Sequence, residues 1–183
     1  DYDGAGAADA ALFADGAGVA LLGDGPGAGL LAIDLHASGR EYRQFWTEFP
    51  ASRQHPVRFT MENLLAGGHF PRIDRDGLRR AGVDQLETSM RKALAAAGRE
   101  PGRIDRFVVS HLLPDVAAAA LERLGVEAAR ATIPSQRWGH IMGAALPAAL
   151  GEDVDAGSVG PGATVCLAAA GAGHAWGAAV LEL

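Results

Sequence analysis

Only one cysteine, Cys166, stands in 183 residues, which excludes an internal disulfide and a thiolate-built metal cage. That scarcity predicts a reducing compartment, and the chain is expected to be cytoplasmic. Aromatic residues make up 6% and charged residues 21%, yet 49% is hydrophobic, a balance that excludes compositional disorder. No apolar run reaches the roughly 18 uninterrupted residues of a membrane-spanning helix, so no membrane span is expected. The chain opens Asp1-Tyr2-Asp3 without an initiator Met, and no basic stretch leads into an apolar one. No signal peptide is therefore expected, and the chain reads as a segment of a longer protein. Bases are missing from both flanks. All 16 lysines and arginines fall between Arg40 and Arg137, among 12 acids, while residues 1–39 and 138–183 hold ten acids and no base. With a net charge of −6, nucleic-acid binding is disfavoured, because neutralising phosphates needs a concentrated basic surface. The basic middle suits a small anionic partner or a solvated arginine-rich face equally well.

The length fits one compact domain with a real core. Residues 10–22 and 27–37 are apolar runs joined by Gly23-Asp24-Gly25-Pro26-Gly27, a pattern that predicts two paired strands. Residues 39–75 are irregular, with three prolines, and read as loop and short helix. From Asp76 the period changes to that of a helix through Gly98, with Leu78, Val83, Leu86, Met90 and Leu94 on one face. A short buried strand at 106–110 follows, then a helix from Pro114 to about Leu124 and a strand fragment at 131–133. Residues 139–150 predict a small-residue helix bent at Pro147. Strands at 163–169 and 175–183, joined by Gly171-Ala172-Gly173, close the chain. The sum is a layered α/β domain, a mixed sheet flanked by helices.

The glycine clusters do not make a dinucleotide fingerprint, which needs a strand, a glycine turn and then a helix; here each cluster leads into another strand-like run. Tight turns and close backbone approach explain them better. The six histidines include no HExxH pair and no cysteine at ligand spacing, so no metal is assigned. Two histidines stand out by position. His111 directly follows the strand Arg-Phe-Val-Val-Ser, at the carboxyl end where α/β folds place their sites. His140 follows Trp138-Gly139 at the start of the predicted alanine-rich helix, where the helix field would favour a neutral imidazole. A lone histidine in either place is more often structural than functional. Cys166 lies inside the strand Thr-Val-Cys-Leu and reads as a small buried apolar residue.

Four segments carry a resemblance: LFADGAGVALL (12–22), RIDRFVVSHLLPD (103–115), RWGHIMGAALPAAL (137–150) and VCLAAAGAGHAWGAAVLEL (165–183). In their order and spacing they resemble the C-terminal part of the β-ketoacyl-acyl-carrier-protein synthase III family, which has the thiolase-like fold. On that resemblance residues 1–38 end the N-terminal half of the fold as a strand pair, residues 39–183 form the C-terminal half, and the half with the nucleophile lies outside this chain. The family's cysteine takes an acyl group from a thioester, and a His and an Asn then assist condensation with a malonyl unit. His111 matches the catalytic His. His140 stands where the Asn falls, making a His/His pair like that of elongating ketosynthases, both able to donate to a carbonyl. After His111 come Leu112, Leu113 and Pro114, where the family carries polar residues. Ala172, in the glycine turn, matches the backbone N–H donor of the oxyanion site. The resemblance implies no bound cofactor, an acyl-CoA or phosphopantetheine thioester as substrate, and an acyl carrier protein or CoA thioester as donor. It also implies a partner half or subunit with the catalytic cysteine, and a dimer. Acyl transfer to an oxygen or nitrogen nucleophile, with His111 as general base, and a non-catalytic partner subunit are the alternatives.

Overall fold

The computed structural model describes residues 9–23, 29–50 and 59–183. Its main sheet has five strands in the order β1-β7-β6-β4-β5: β1 Leu30–Ala37, β7 Ala175–Glu182, β6 Thr164–Gly171, β4 Arg106–Ser110 and β5 Ala131–Thr132. β4 runs parallel to both β5 and β6, while β7 is antiparallel to β6 and to β1. A separate ribbon pairs β2 (Phe45–Trp46) with β3 (Arg72–Ile73) inside the irregular segment.

Alternation along the strands sends side chains to two unlike faces. Phe107, Val109, Cys166, Ala168, Ala178 and Val180 face the long helix Arg75–Ala96 and the helix Pro114–Arg123, forming the larger core. Val108 and Val165 face the other way, toward Ala149 on the helix Ala145–Asp155. β4 is thus covered on both faces, which is why its middle, Phe107-Val108-Val109, is apolar throughout rather than alternating. The long helix buries Leu78, Leu86, Met90, Ala93 and Leu94 along one stripe. Asp74 caps its start by accepting from the Gly77 N–H at 2.9 Å.

Three expectations are corrected. Residues 10–22 do not pair with 27–37; β1 pairs with β7, residues 14–23 form no strand, and 24–28 lie outside the described residues. The cause is a different use of the glycines. A Cβ on Gly16 would stand 2.7 Å from Ile141 Cδ1, and one on Gly18 would stand 2.6 Å from Pro147 Cγ. The bare backbone therefore runs against residues 141–147 instead of along β1. Pro147 does not bend its helix, because the α-helix starts only at Ala145 and extends to Asp155. Pro147 sits in the first turn, where an N–H has no intrahelical acceptor to lose. His140 accordingly does not start that helix: a 3₁₀ turn over Met142–Ala144 stands between.

Candidate active site

β4 ends at Ser110 and delivers His111, 1% exposed, to the rim of the sheet. The imidazole Nδ1 lies 3.0 Å from the Leu113 amide nitrogen and 3.1 Å from the Leu113 carbonyl oxygen. That carbonyl already accepts from the Val116 N–H at 3.2 Å, whereas the amide has the imidazole as its acceptor. With Nδ1 accepting from that amide, the ring proton is assigned to Nε2. Leu113 orients the ring through its backbone, so the apolar residues after His111 do the work expected of polar ones. Burial lowers the His111 pKa to about 4, and the nearby His174 and His140 push in the same direction. The ring edge faces Gly82 of the long helix. A Cβ there would stand 3.0 Å from Nε2 and 2.8 Å from Val116 Cγ1, so the missing side chain makes the seat.

His140 is gripped by the segment that precedes β1. Its N–H donates to the Leu12 carbonyl at 2.7 Å, and its carbonyl accepts from the Ala14 N–H at 3.2 Å. Phe13 and Phe45 approach the ring edge-on, with centroids at 5.9 Å and 6.5 Å. Nδ1 is buried with no hydrogen-bond partner among the described residues. Burial, not a helix terminus, lowers the His140 pKa.

Ala172 sits in the turn between β6 and β7, followed by Gly173 at φ +132°, a conformation open to glycine. His140 and Ala172 line one cavity of about 290 Å³ together with Phe45, Ser110 and Met142. His111, the next residue in the chain after Ser110, is not among its lining residues. The structure thus brings two of the three predicted site residues onto one cavity and sets the third beside it. Cys166 is fully buried in β6 and its thiol is pushed up to about 12, so it is no nucleophile. Among the described residues no cluster of His, Cys, Asp or Glu suits a metal, and no helix is long and apolar enough to cross a membrane.

Sequence reasoning missed His174. Its ring is 1% exposed and its Nε2 lies 2.7 Å from Gln85 Oε1 on the long helix. The signal was present, since this histidine directly follows the glycine turn. The basic middle resolves largely into ion pairs, including Arg79–Asp115 at 2.7 Å, Arg137–Glu152 at 2.6 Å and Arg72–Glu48 at 2.8 Å.

Sheet order, helix placement and a histidine at the carboxyl end of a central strand define a thiolase-like half. Residues 94–183 match the family described as 3-Oxoacyl-[acyl-carrier-protein (ACP)] synthase III C terminal. The chain is 32% identical over 175 residues to the β-ketoacyl-acyl-carrier-protein synthase III of Thermosynechococcus vestitus, covering 93% of this chain and 52% of that protein. The corresponding figures for the Pectobacterium atrosepticum synthase III are 31% over 174 residues, 93% and 51%. Among solved structures, the Thermus thermophilus synthase III superposes with a TM-score of 0.73 at 29% identity, over 87% of this chain and 47% of that one. The Aquifex aeolicus synthase III gives a TM-score of 0.71 at 22% identity, over 85% and 45%. The chain is similar to the C-terminal part of synthase III proteins, and it spans about half the length of the curated relatives it matches.

Proposed function

We propose that this chain supplies the proton-donating and oxyanion-binding part of a synthase III-type condensing acyltransferase, acting with a partner half or subunit that carries the nucleophilic cysteine. The observation that carries the reading is the Leu113 amide nitrogen 3.0 Å from His111 Nδ1: with Nδ1 accepting there, Nε2–H is left as the donor. In the first step the partner's thiolate attacks the carbonyl of an acyl-CoA or acyl-carrier thioester. The Ala172 N–H receives the oxyanion, and the CoA or carrier thiol leaves. A malonyl thioester then loses carbon dioxide, and the electron pair of the broken C–C bond forms an enolate. Its oxygen is held by His111 Nε2–H and by the imidazole of His140. The enolate carbon attacks the acyl-cysteine carbonyl, and the collapse returns the thiolate and releases the β-ketoacyl thioester. His111 is not among the residues that line the cavity shared by His140 and Ala172, so side chains beside it must move for all three to serve the reaction.

An exposed apolar face supports the partner in this reading. Beyond the helix Ala145–Asp155, the β1–β7 face carries an apolar trough of about 420 Å³ lined by Leu35, Leu146, Leu167, Trp176 and Ala179. Ile33 and Leu35 stand 52% and 70% exposed on β1. An apolar face of this kind calls for a partner. The assembled enzyme is expected to pair further as a dimer in the cytoplasm. A His111 pKa of about 4 argues against acyl transfer to oxygen or nitrogen with His111 as general base, since so weak a base takes little proton at neutral pH.

Intact-mass measurement of the natively co-purified species with acyl-CoA, followed by carbon dioxide release from a malonyl thioester, tests the reading. A co-purified chain is expected to gain the acyl mass on a cysteine. His111→Ala is expected to abolish carbon dioxide release while that acylation persists. Equal loss of both steps would overturn the role given to His111, and a lone 18.8 kDa species never acylated would leave only a non-catalytic partner.

A further inference from the structure

The turn that presents Ala172 is tied down from two sides at the residue that ends it. His174 N–H donates to the Ser38 carbonyl at 3.1 Å, and the His174 carbonyl accepts from the Ser38 N–H at 2.8 Å, which extends the β1–β7 ladder by one reciprocal pair. Its side chain points the other way, into the protein, where Nε2 meets Gln85 Oε1 at 2.7 Å. An amide oxygen only accepts, so the His174 proton sits on Nε2. Gln85 lies three residues beyond Gly82 on the long helix, one turn along the same face. The same stretch of helix therefore seats both rings: Gly82 by leaving space for His111, and Gln85 by accepting from His174. The groups around His174 are Gln85, the Trp176 ring at 5.7 Å, the Glu41 carboxylate and the His111 imidazole.

We propose that His174 and Gln85 are a positioning pair that fixes the Gly171–Gly173 turn, and with it the Ala172 N–H, to the helix that seats His111. The functional half of this inference rests on the oxyanion role given above to Ala172; the structural half does not. A histidine is suited to the task because one ring nitrogen can be locked as a donor to the helix while the backbone on either side holds β1. The pair would register the oxyanion donor against His111 through one rigid element, so that a displacement of the helix moves both together.

Two variants at Gln85 separate positioning from space filling. Gln85→Met keeps the volume and loses the acceptor, whereas Gln85→Glu keeps an acceptor. In the chain as it stands, ¹⁵N-histidine spectra at neutral pH are expected to show His174 as a single Nε2–H tautomer in the wild type and in Gln85→Glu, and as a tautomer mixture in Gln85→Met. A single tautomer persisting in Gln85→Met would overturn the pair. With the cysteine-bearing partner present, Gln85→Met is expected to lower kcat for acyl transfer about tenfold with KM unchanged, and Gln85→Glu to restore it to within about twofold, the size of one misaligned oxyanion donor or less. Met as active as wild type, or Glu worse than Met, would mean that the site needs only bulk there. An inactive wild type would sink the proposed function alone, because the tautomer result stands without activity.

Discussion

At Gly139 the backbone takes φ +78° and ψ −173°, a region that is nearly glycine's own. A Cβ there would also stand 3.2 Å from the Leu12 carbonyl oxygen, which is the acceptor for the His140 N–H. The glycine is thus what lets residues 12–14 close on His140. Gly139→Ala is expected to cost about 2 kcal/mol of stability, read from urea unfolding, and to release the Leu12 bond, read from the His140 amide shift. An unchanged His140 amide would mean that the clamp does not depend on this glycine. The places of His111, after a strand end, and of Ala172, in a hairpin turn, were legible in the sequence, whereas His140 was read at the start of a helix that begins only at Ala145. The environment of His140 was not legible either. Its burial comes from Phe13 and Phe45, distant in sequence, so the helix-terminus reading assigned the right direction of pKa to the wrong cause.

Between elements, one buried ion pair fastens the second layer to the sheet. Asp153, on the helix Ala145–Asp155, lies 3.2 Å from Arg106 at the head of β4 and accepts from Thr132 Oγ1 of β5 at 2.8 Å. The two charged side chains are 13% and 12% exposed, so neither is well solvated if the other is removed. Asp153→Ala is expected to cost about 3–5 kcal/mol, while Arg106→Met with Asp153→Leu together should recover most of it; thermal unfolding of both variants checks this. A loss below about 1 kcal/mol in the single variant would show that water reaches the arginine. The elements themselves divide by the range of their causes. β4, β6, β7 and the long helix follow from local period and burial, and the sequence predicts them within a few residues. The partner of β1 is set by which strand lies beside it after the chain has crossed the sheet, and no pattern in 10–37 encodes that. Pro147 illustrates the same point, since its effect depends on where the helix begins, and that is fixed by the turn at Met142–Ala144.

For the molecule as a whole, three buried imidazoles make folding sensitive to mild acid. Burial lowers the pKa values of His111, His140 and His174, the first to about 4. In the unfolded chain each returns to an ordinary value near about 6.5. Between these limits the unfolded state binds more protons than the folded one, so stability is complete above about pH 6.5 and falls as pH drops toward about 4. His111 alone accounts for about 3 kcal/mol across the full window and about 2 kcal/mol by about pH 5. The carboxyls of Asp34 and Asp115 also titrate below their usual range. Burial opposes this, but Ser89 and His36 outweigh it at Asp34, and Arg79 does at Asp115. Their contribution is lost only below about pH 4, in a separate window. Urea unfolding is therefore expected to weaken between about pH 7.5 and about pH 5, with His111→Phe flattening that slope by about 2 kcal/mol. A wild-type midpoint that holds steady over this range, or a slope that His111→Phe leaves untouched, would mean that His111 already binds its proton in the folded state. It would then meet an enolate as imidazolium rather than as a neutral donor.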